Sequence, residues 1–138
     1  MKYLPLDCKL FIQNRSNLID KIDDNSISIL NSNDIMPTNS DGTMPFKQNS
    51  DLFWATGIDQ EESVLAIIKK NGSASEFLFV KETNEHIAIW EGAKLTKSSA
   101  TKTSGIEDVF WLSEMDKIIE KEIEGVSTIY LNKNIHNR

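Results

Sequence analysis

Apolar residues recur near helical spacing across residues 7–23 (Leu10, Phe11, Leu18, Ile19, Ile22), which predicts a helix with Asp7 as its N-cap. The pattern switches to alternation at Ser26-Ile27-Ser28-Ile29-Leu30, the period of a strand. Residues 31–45 (NSNDIMPTNSDGTMP) collect Asn, Asp, Ser, Gly and Pro and read as a loop, long enough in a compact domain to be functional or mobile. Three apolar runs, 52–56, 64–68 and 77–80, are predicted as strands. Their weak alternation implies central strands covered on both faces. Asn71-Gly72 is a hairpin signal, placed within a connection of more than two residues. Residues 83–91 read as a short helix opened by Thr83 and stopped by Gly92, and 96–103 as another stopped by Gly105. A strand over 109–112 leads into a helix over 113–125, with Asp116 approximating a capping-box acid, and a strand over 126–131 closes the pattern. Consecutive strands followed by strands alternating with helices imply a mixed β-sheet flanked by helices, an α/β fold, and no linker divides residues 1–138.

Composition narrows this to one compact domain with a single core: 138 residues, 39% hydrophobic, a size that needs no disulfide or metal staple. Cys8 is the lone cysteine, so no intramolecular disulfide forms and a reducing cytoplasm is the expected setting. The N-terminus lacks a secretory apolar run, and no segment reaches the roughly 20 apolar residues of a membrane span. Fifteen basic against 21 acidic residues give a net charge of −6, which argues against nucleic acid as a partner. The lysines at 69, 70, 94, 97 and 102 read as solvated surface.

Catalytic chemistry is hard to find. His86 and His136 are far apart, without a Cys or His at metal-ligand spacing; His86 reads as a surface or capping residue and His136 as part of a polar tail. Cys8, near a helix start, reads as an inert thiol. Asp23 with Asp24, Glu61 with Glu62, and Glu107 with Asp108 are adjacent pairs whose side chains diverge, and they read as solvated turns and helix starts. No glycine-rich phosphate loop is present, and a nuclease would need clustered carboxylates and a basic groove that are both lacking. Trp54 and Trp111 read as core. Trp90, at a helix end, either covers the core edge or anchors an interface or substrate.

The stretch Met44-Pro-Phe-Lys-Gln-Asn-Ser-Asp-Leu-Phe-Trp-Ala-Thr-Gly57 reads as a polar turn entering a short apolar strand. It resembles a signature of the N-terminal domain of Xaa-Pro aminopeptidases (aminopeptidase P, the creatinase/prolidase group), Tyr-x-Phe-Arg-Gln-x-Ser-Asp-Phe-x-Tyr-Leu-Thr-Gly. Other pieces are similar and in order: Phe11, Asn14-Arg15 and Leu18; the alternating strand and Ser32; Asn39 and Asp41; Asp59, Glu61 and Glu62; Ile89-Trp90-Glu91-Gly92-Ala-Lys-Leu95; and Gly105. The likeness spans roughly residues 10–131. Thr38, Lys47 and Lys94 stand where the family carries Arg, Met44 where it has Tyr, and Ala55 where it has an aromatic or Leu, so bidentate arginine contacts weaken to point charges at the two lysines.

The resemblance implies a three-layer, ribonuclease-H-like, creatinase/prolidase-type N-terminal domain that is not itself catalytic. It implies a following C-terminal "pita-bread" catalytic domain in the same polypeptide, holding two divalent ions, usually Mn²⁺, through two Asp, one His and two Glu. That domain releases the N-terminal residue from peptides with proline second. No catalytic or metal-binding residue is expected in this chain, which is then an excised domain or part of a longer product. Phe46, Ser50, Gly57 and Gly92 correspond to structural positions of the motifs. Trp90, Asn39, Asp41, Gln48 and Asp51 are candidates for a substrate entrance or homo-oligomer contact, with Trp90 reaching a neighbouring subunit's site. No nucleic acid or membrane partner is implied. The alternative is a stand-alone peptide- or small-molecule-binding module whose pocket is formed by the 31–51 loop and Trp90.

Overall fold

A computed structural model describes Leu4 and residues 6–132. Asp7 caps α1 (Cys8–Lys21), its carboxylate accepting from the Lys9 N–H at 2.9 Å. Then come β1 (Ser26–Asn31), α2 (Ser50–Thr56), β2 (Val64–Lys70), β3 (Ser73–Val80), α3 (Glu85–Glu91), α4 (Lys97–Ser104), β4 (Val109–Trp111), a 3-10 turn (Leu112–Glu114), α5 (Met115–Glu122) and β5 (Thr128–Leu131). The sheet order is β4-β3-β2-β1-β5; β1–β2 and β2–β3 are antiparallel, whereas β1–β5 and β3–β4 are parallel. This is the mixed-sheet, three-layer α/β class that the pattern and the resemblance predict.

The central strand explains the layers. Leu65 and Ile67 point to one face and join Leu52 and Ala55 of α2, Ala100 of α4 and the end of α1. Val64, Ala66 and Ile68 point to the other and join Phe77, Phe79 and the α5 side chains Met115, Ile118 and Ile119. Both sets are buried, which is why the sequence of β2 shows no alternation. Each fully buried Leu, Ile, Val or Phe among them contributes about 1.5–3 kcal/mol on burial.

The run 52–56 is helical, which corrects the predicted strand. Asn49 accepts hydrogen bonds from the Asp51 and Leu52 N–H groups, Asp51 complements the helix dipole, and Gly57 ends the helix with φ 71°. Leu52, Ala55 and Thr56, spaced i, i+3, i+4, are the buried residues. Trp54 falls off that stripe and is 44% exposed rather than core.

Four smaller expectations also change. The hairpin loop is two residues, Asn71 and Gly72, with φ 52° and 77°, the paired positive values of a type I′ turn. Asn84, not Thr83, caps α3, because its side chain reaches the Ile87 N–H at 2.8 Å. Glu114 precedes α5 without a side-chain cap bond, so Asp116 forms no capping box. In α1 the buried stripe is Phe11 and Arg15, while Leu10 is exposed.

Arg15 is 1% exposed and locks three helices to the sheet. Its Nη1 donates to the carbonyls of Ala55 (2.9 Å) and Ser104 (2.7 Å), and its Nε pairs with Glu76 on β3. Those carbonyls lie in the last turns of α2 and α4, so the guanidinium meets two helix C-termini. The same meeting point needs small residues: a Cβ at Gly57 would overlap the Phe11 ring, and one at Gly105 would crowd Ile12.

Candidate functional site

The register places one set of connections at a single end of the sheet. Asn31 pairs with Val64 and Val64 with Phe79, and β4 and β5 run parallel to β3 and β1. The 32–49 loop, the 57–63 connection, α3 with its flanks, and the end of β5 therefore gather at one edge. The candidate residues all belong to this set or to the start of α2.

Within the loop, Pro37 bridges Thr43, and the Met44 N–H donates to the Met36 carbonyl at 2.8 Å. This makes a small exposed hairpin with Asn39 and Asp41 near its tip, both exposed. Gln48 has a different role. Its Oε1 accepts from the Asn49 N–H at 2.8 Å and from Asn33, and its Nε2 donates to the carbonyls of Ile58 (3.0 Å) and Gln60 (2.9 Å). The amide staples the loop to the segment after α2, and its donors and acceptors are all engaged. Phe46 beside it is half-buried. Ser50 and Asp51 sit exposed in the first turn of α2, while Gly57 and Gly92 end α2 and α3.

Trp90 is 79% exposed and Ile89 76% exposed, and no residue of α3 is buried. Of the two readings of Trp90, coverage of the core edge is thereby removed. Trp111 is partly buried with the Lys97 ammonium 4.8 Å from its ring centroid, a cation–π contact rather than a solvated lysine. His86 is exposed on α3. Cys8 is a free, half-buried thiol, and His136 lies outside the described residues.

The charged groups beneath α3 were not visible in the spacing. Glu61 is buried and its Oε1 accepts from Lys94 Nζ at 2.7 Å, so neither residue is the solvated charge expected. Burial pushes the Glu61 carboxyl up. The Lys94 hydrogen bond, a backbone N–H bond and the charges of Lys94 and Lys81 outweigh this and hold it below the ordinary glutamate value of 4.5. Lys81 pairs with Glu91 at 3.1 Å and Glu62 at 3.5 Å; the Glu91 hydrogen bond leads in holding its ammonium above the ordinary lysine value. Adjacent Glu61 and Glu62 thus diverge, as neighbours should, one inward to Lys94 and one outward to Lys81. Buried Gln60 accepts from the Leu95 N–H at 2.9 Å. Lys69 donates to the carbonyls of Ile19 and Ile22 at the end of α1. Among the described residues, no group of three or more His, Cys, Asp or Glu is placed to hold a metal ion, and no helix is long and apolar enough to cross a membrane.

These features define a three-layer α/β domain that offers an apolar, exposed helix at one sheet end. The sequence model of the aminopeptidase P N-terminal domain matches residues 11–130, and the chain belongs to that family. It is 23% identical over 121 residues to the Xaa-Pro aminopeptidase of Escherichia coli K12, a match covering 87% of this chain and 27% of that protein. It is 32% identical over 72 residues to Xaa-Pro aminopeptidase 3 of Dictyostelium discoideum, covering 51% of this chain and 14% of that one. Among solved structures, a Bacillus anthracis protein assigned to aminopeptidase P superposes with TM-score 0.88 at 28% identity, over 96% of this chain and 32% of that chain. Zinc-substituted Escherichia coli aminopeptidase P in complex with product shares the fold, with TM-score 0.86, 22% identity and 96% and 30% coverage. The chain spans less than a third of the length of these relatives.

Proposed function

We propose that this chain serves as the non-catalytic N-terminal domain of an Xaa-Pro aminopeptidase-type metallopeptidase. The observation that carries the proposal is the family match over 11–130 in a chain spanning under a third of its relatives. In this reading residues 1–138 are one domain, joined in the same polypeptide to a C-terminal pita-bread domain that works in a cytoplasmic homo-oligomer. That following domain would hold two divalent ions, Mn²⁺ in the usual form, which polarise the scissile carbonyl and activate water. The described residues here offer no donor set for those ions. The contribution of this chain is positional: the exposed helix carrying Trp90 and the hairpin carrying Asn39 and Asp41 wall the entrance for peptides with proline second and contact a neighbouring subunit.

The test compares the purified 138-residue chain with the product of the longer reading frame, each supplied with Mn²⁺ and an Xaa-Pro peptide. Hydrolysis by the longer product alone is expected. Metal-dependent release of proline peptides by the chain itself, or inactivity of the longer product, overturns the proposal. In the longer product, Trp90→Ala is expected to lower kcat/KM by about tenfold or more, the effect of truncating an aromatic anchor. In the isolated 138-residue chain the same substitution should change the unfolding free energy by no more than about 0.5 kcal/mol, since an exposed side chain is removed. A destabilised variant, or one with unchanged kcat/KM, would refute the assigned role of Trp90.

A further inference from the structure

Twelve residues, 82–93, separate Lys81 from Lys94, yet both lysines end on neighbouring acids of one connection, Glu62 and Glu61. The chain thus leaves the end of β3 and returns to nearly the same spot, the geometry of a closed surface excursion. None of these twelve residues is buried. Their hydrogen bonds close inside the excursion: the Asn84 side chain takes the Ile87 N–H, the Asn84 carbonyl takes the Ala88 N–H, and the Ala88 carbonyl takes the Gly92 N–H. The Glu91–Lys81 pair ties the excursion to its neck. A seven-residue helix has little stability of its own in water, so α3 depends on its cap and on that neck.

We infer that residues 82–93 form a hinged arm, clasped ionically at the neck, that opens and swings Trp90 as a unit while the sheet stays folded. The two clasps differ in kind. Lys81, Glu62 and Glu91 are partly solvated, so salt screens them, whereas Glu61 and Lys94 are more buried and hold through salt. Lys94 and Leu95, the latter packed on the core and bonded to Gln60, act as the fixed hinge; Lys81 and Glu91 act as the releasable catch. The inference rests on the neck alone and stands whatever Trp90 meets.

Hydrogen exchange of the 138-residue chain tests it. The Ala88 and Gly92 amides should exchange about 100-fold or more faster than the paired amides of β2, as expected of a locally opening unit. Raising NaCl from about 20 mM to about 500 mM shrinks the Debye length from roughly 20 Å to roughly 4 Å. It should speed the α3 amides about two- to fivefold relative to β2, the scale of a partly exposed ion pair. Lys81→Met should match that acceleration at low salt and lose the salt response, and Glu91→Gln should move the same way by less. Exchange of α3 in step with β2 would overturn the inference, since the arm would then open only with the whole domain. So would α3 amides that ignore both salt and Lys81→Met.

Discussion

Helices α2 and α3 have the same length, seven residues, and the same punctuation, an Asn cap in front and a positive-φ glycine behind. Their surroundings differ completely. α2 buries Leu52, Ala55 and Thr56, and its terminal Gly57 is pressed against Phe11; α3 buries nothing, and a Cβ on Gly92 would meet open space. Equal local signals therefore make equal helices, and only what lies behind them decides whether the helix is a wall of the core or an arm. The comparison also separates two uses of charge. Arg15 is sealed under α2 at the ends of two helices, while Lys81 holds α3 from the surface.

The strongest way to break the α2 side is Arg15→Met. It leaves the Ala55 and Ser104 carbonyls without their buried donor and Glu76 without its cation. Stability should fall by about 3–5 kcal/mol, the range for removing one partner of a buried ionic network. Urea unfolding with an unchanged m-value reads this directly. A loss under about 1 kcal/mol would mean that hydrophobic contact alone seats the three helices.

The glycines sharpen the contrast with one chemical change made twice. Gly57→Ala combines a left-handed backbone with overlap of a core ring and should cost about 2–4 kcal/mol. Gly92→Ala also meets an unfavourable backbone, φ 85° and ψ 170°, but nothing packs there. The arm can rearrange, so global stability should move by less than about 1 kcal/mol while the α3 amides lose protection. Equal global costs for the two variants would show that α3 is part of the core after all.

These two helices also mark the limits of what a reading of the sequence reaches. The strands are legible where burial imposes a period, as in the alternation of β1 and the unbroken run of β2. Caps are legible at Asp7, Gly92 and Gly105 because they are local chemistry. The run 52–56 misleads because four apolar residues and a threonine fit either period, and the helical spacing of Leu52, Ala55 and Thr56 is only decisive once Asn49 is recognised as a cap. Thr83 displaces Asn84 in the sequence reading for a similar reason, two plausible caps in succession. Arg15 is visible as a motif residue, but its partners lie 40, 61 and 89 positions away, beyond any spacing rule. The neck under α3 is hidden likewise: Glu61 and Lys94 are 33 residues apart, and adjacency with Glu62 suggests two solvated acids. The exposure of Trp90 is one of two readings that the sequence leaves open, and only the exposed setting of α3, none of whose residues is buried, separates them.

A smaller effect than those of Arg15 and Gly57 sits at the boundary between the two regions, at Glu61. Its carboxyl is held below 4.5 when folded, so the folded state favours the charged form more than the unfolded chain does. The stabilisation is accordingly complete above pH 4.5 and is lost as the pH falls through the lower folded value. Glu61→Gln keeps the shape, removes the charge and leaves Lys94, partly exposed, free to turn toward water. A cost of about 1–2 kcal/mol at neutral pH is expected, the scale of a charge-assisted hydrogen bond. The difference between parent and variant should shrink as both are titrated below pH 4.5, because the parent then becomes neutral at that site as well. Background carboxylates affect both proteins and cancel in the difference. A gap that stayed constant through the acid range would show that the Glu61→Gln side chain fails for reasons of fit, and that the hinge end of the arm is held by packing of Leu95 rather than by its ion pair.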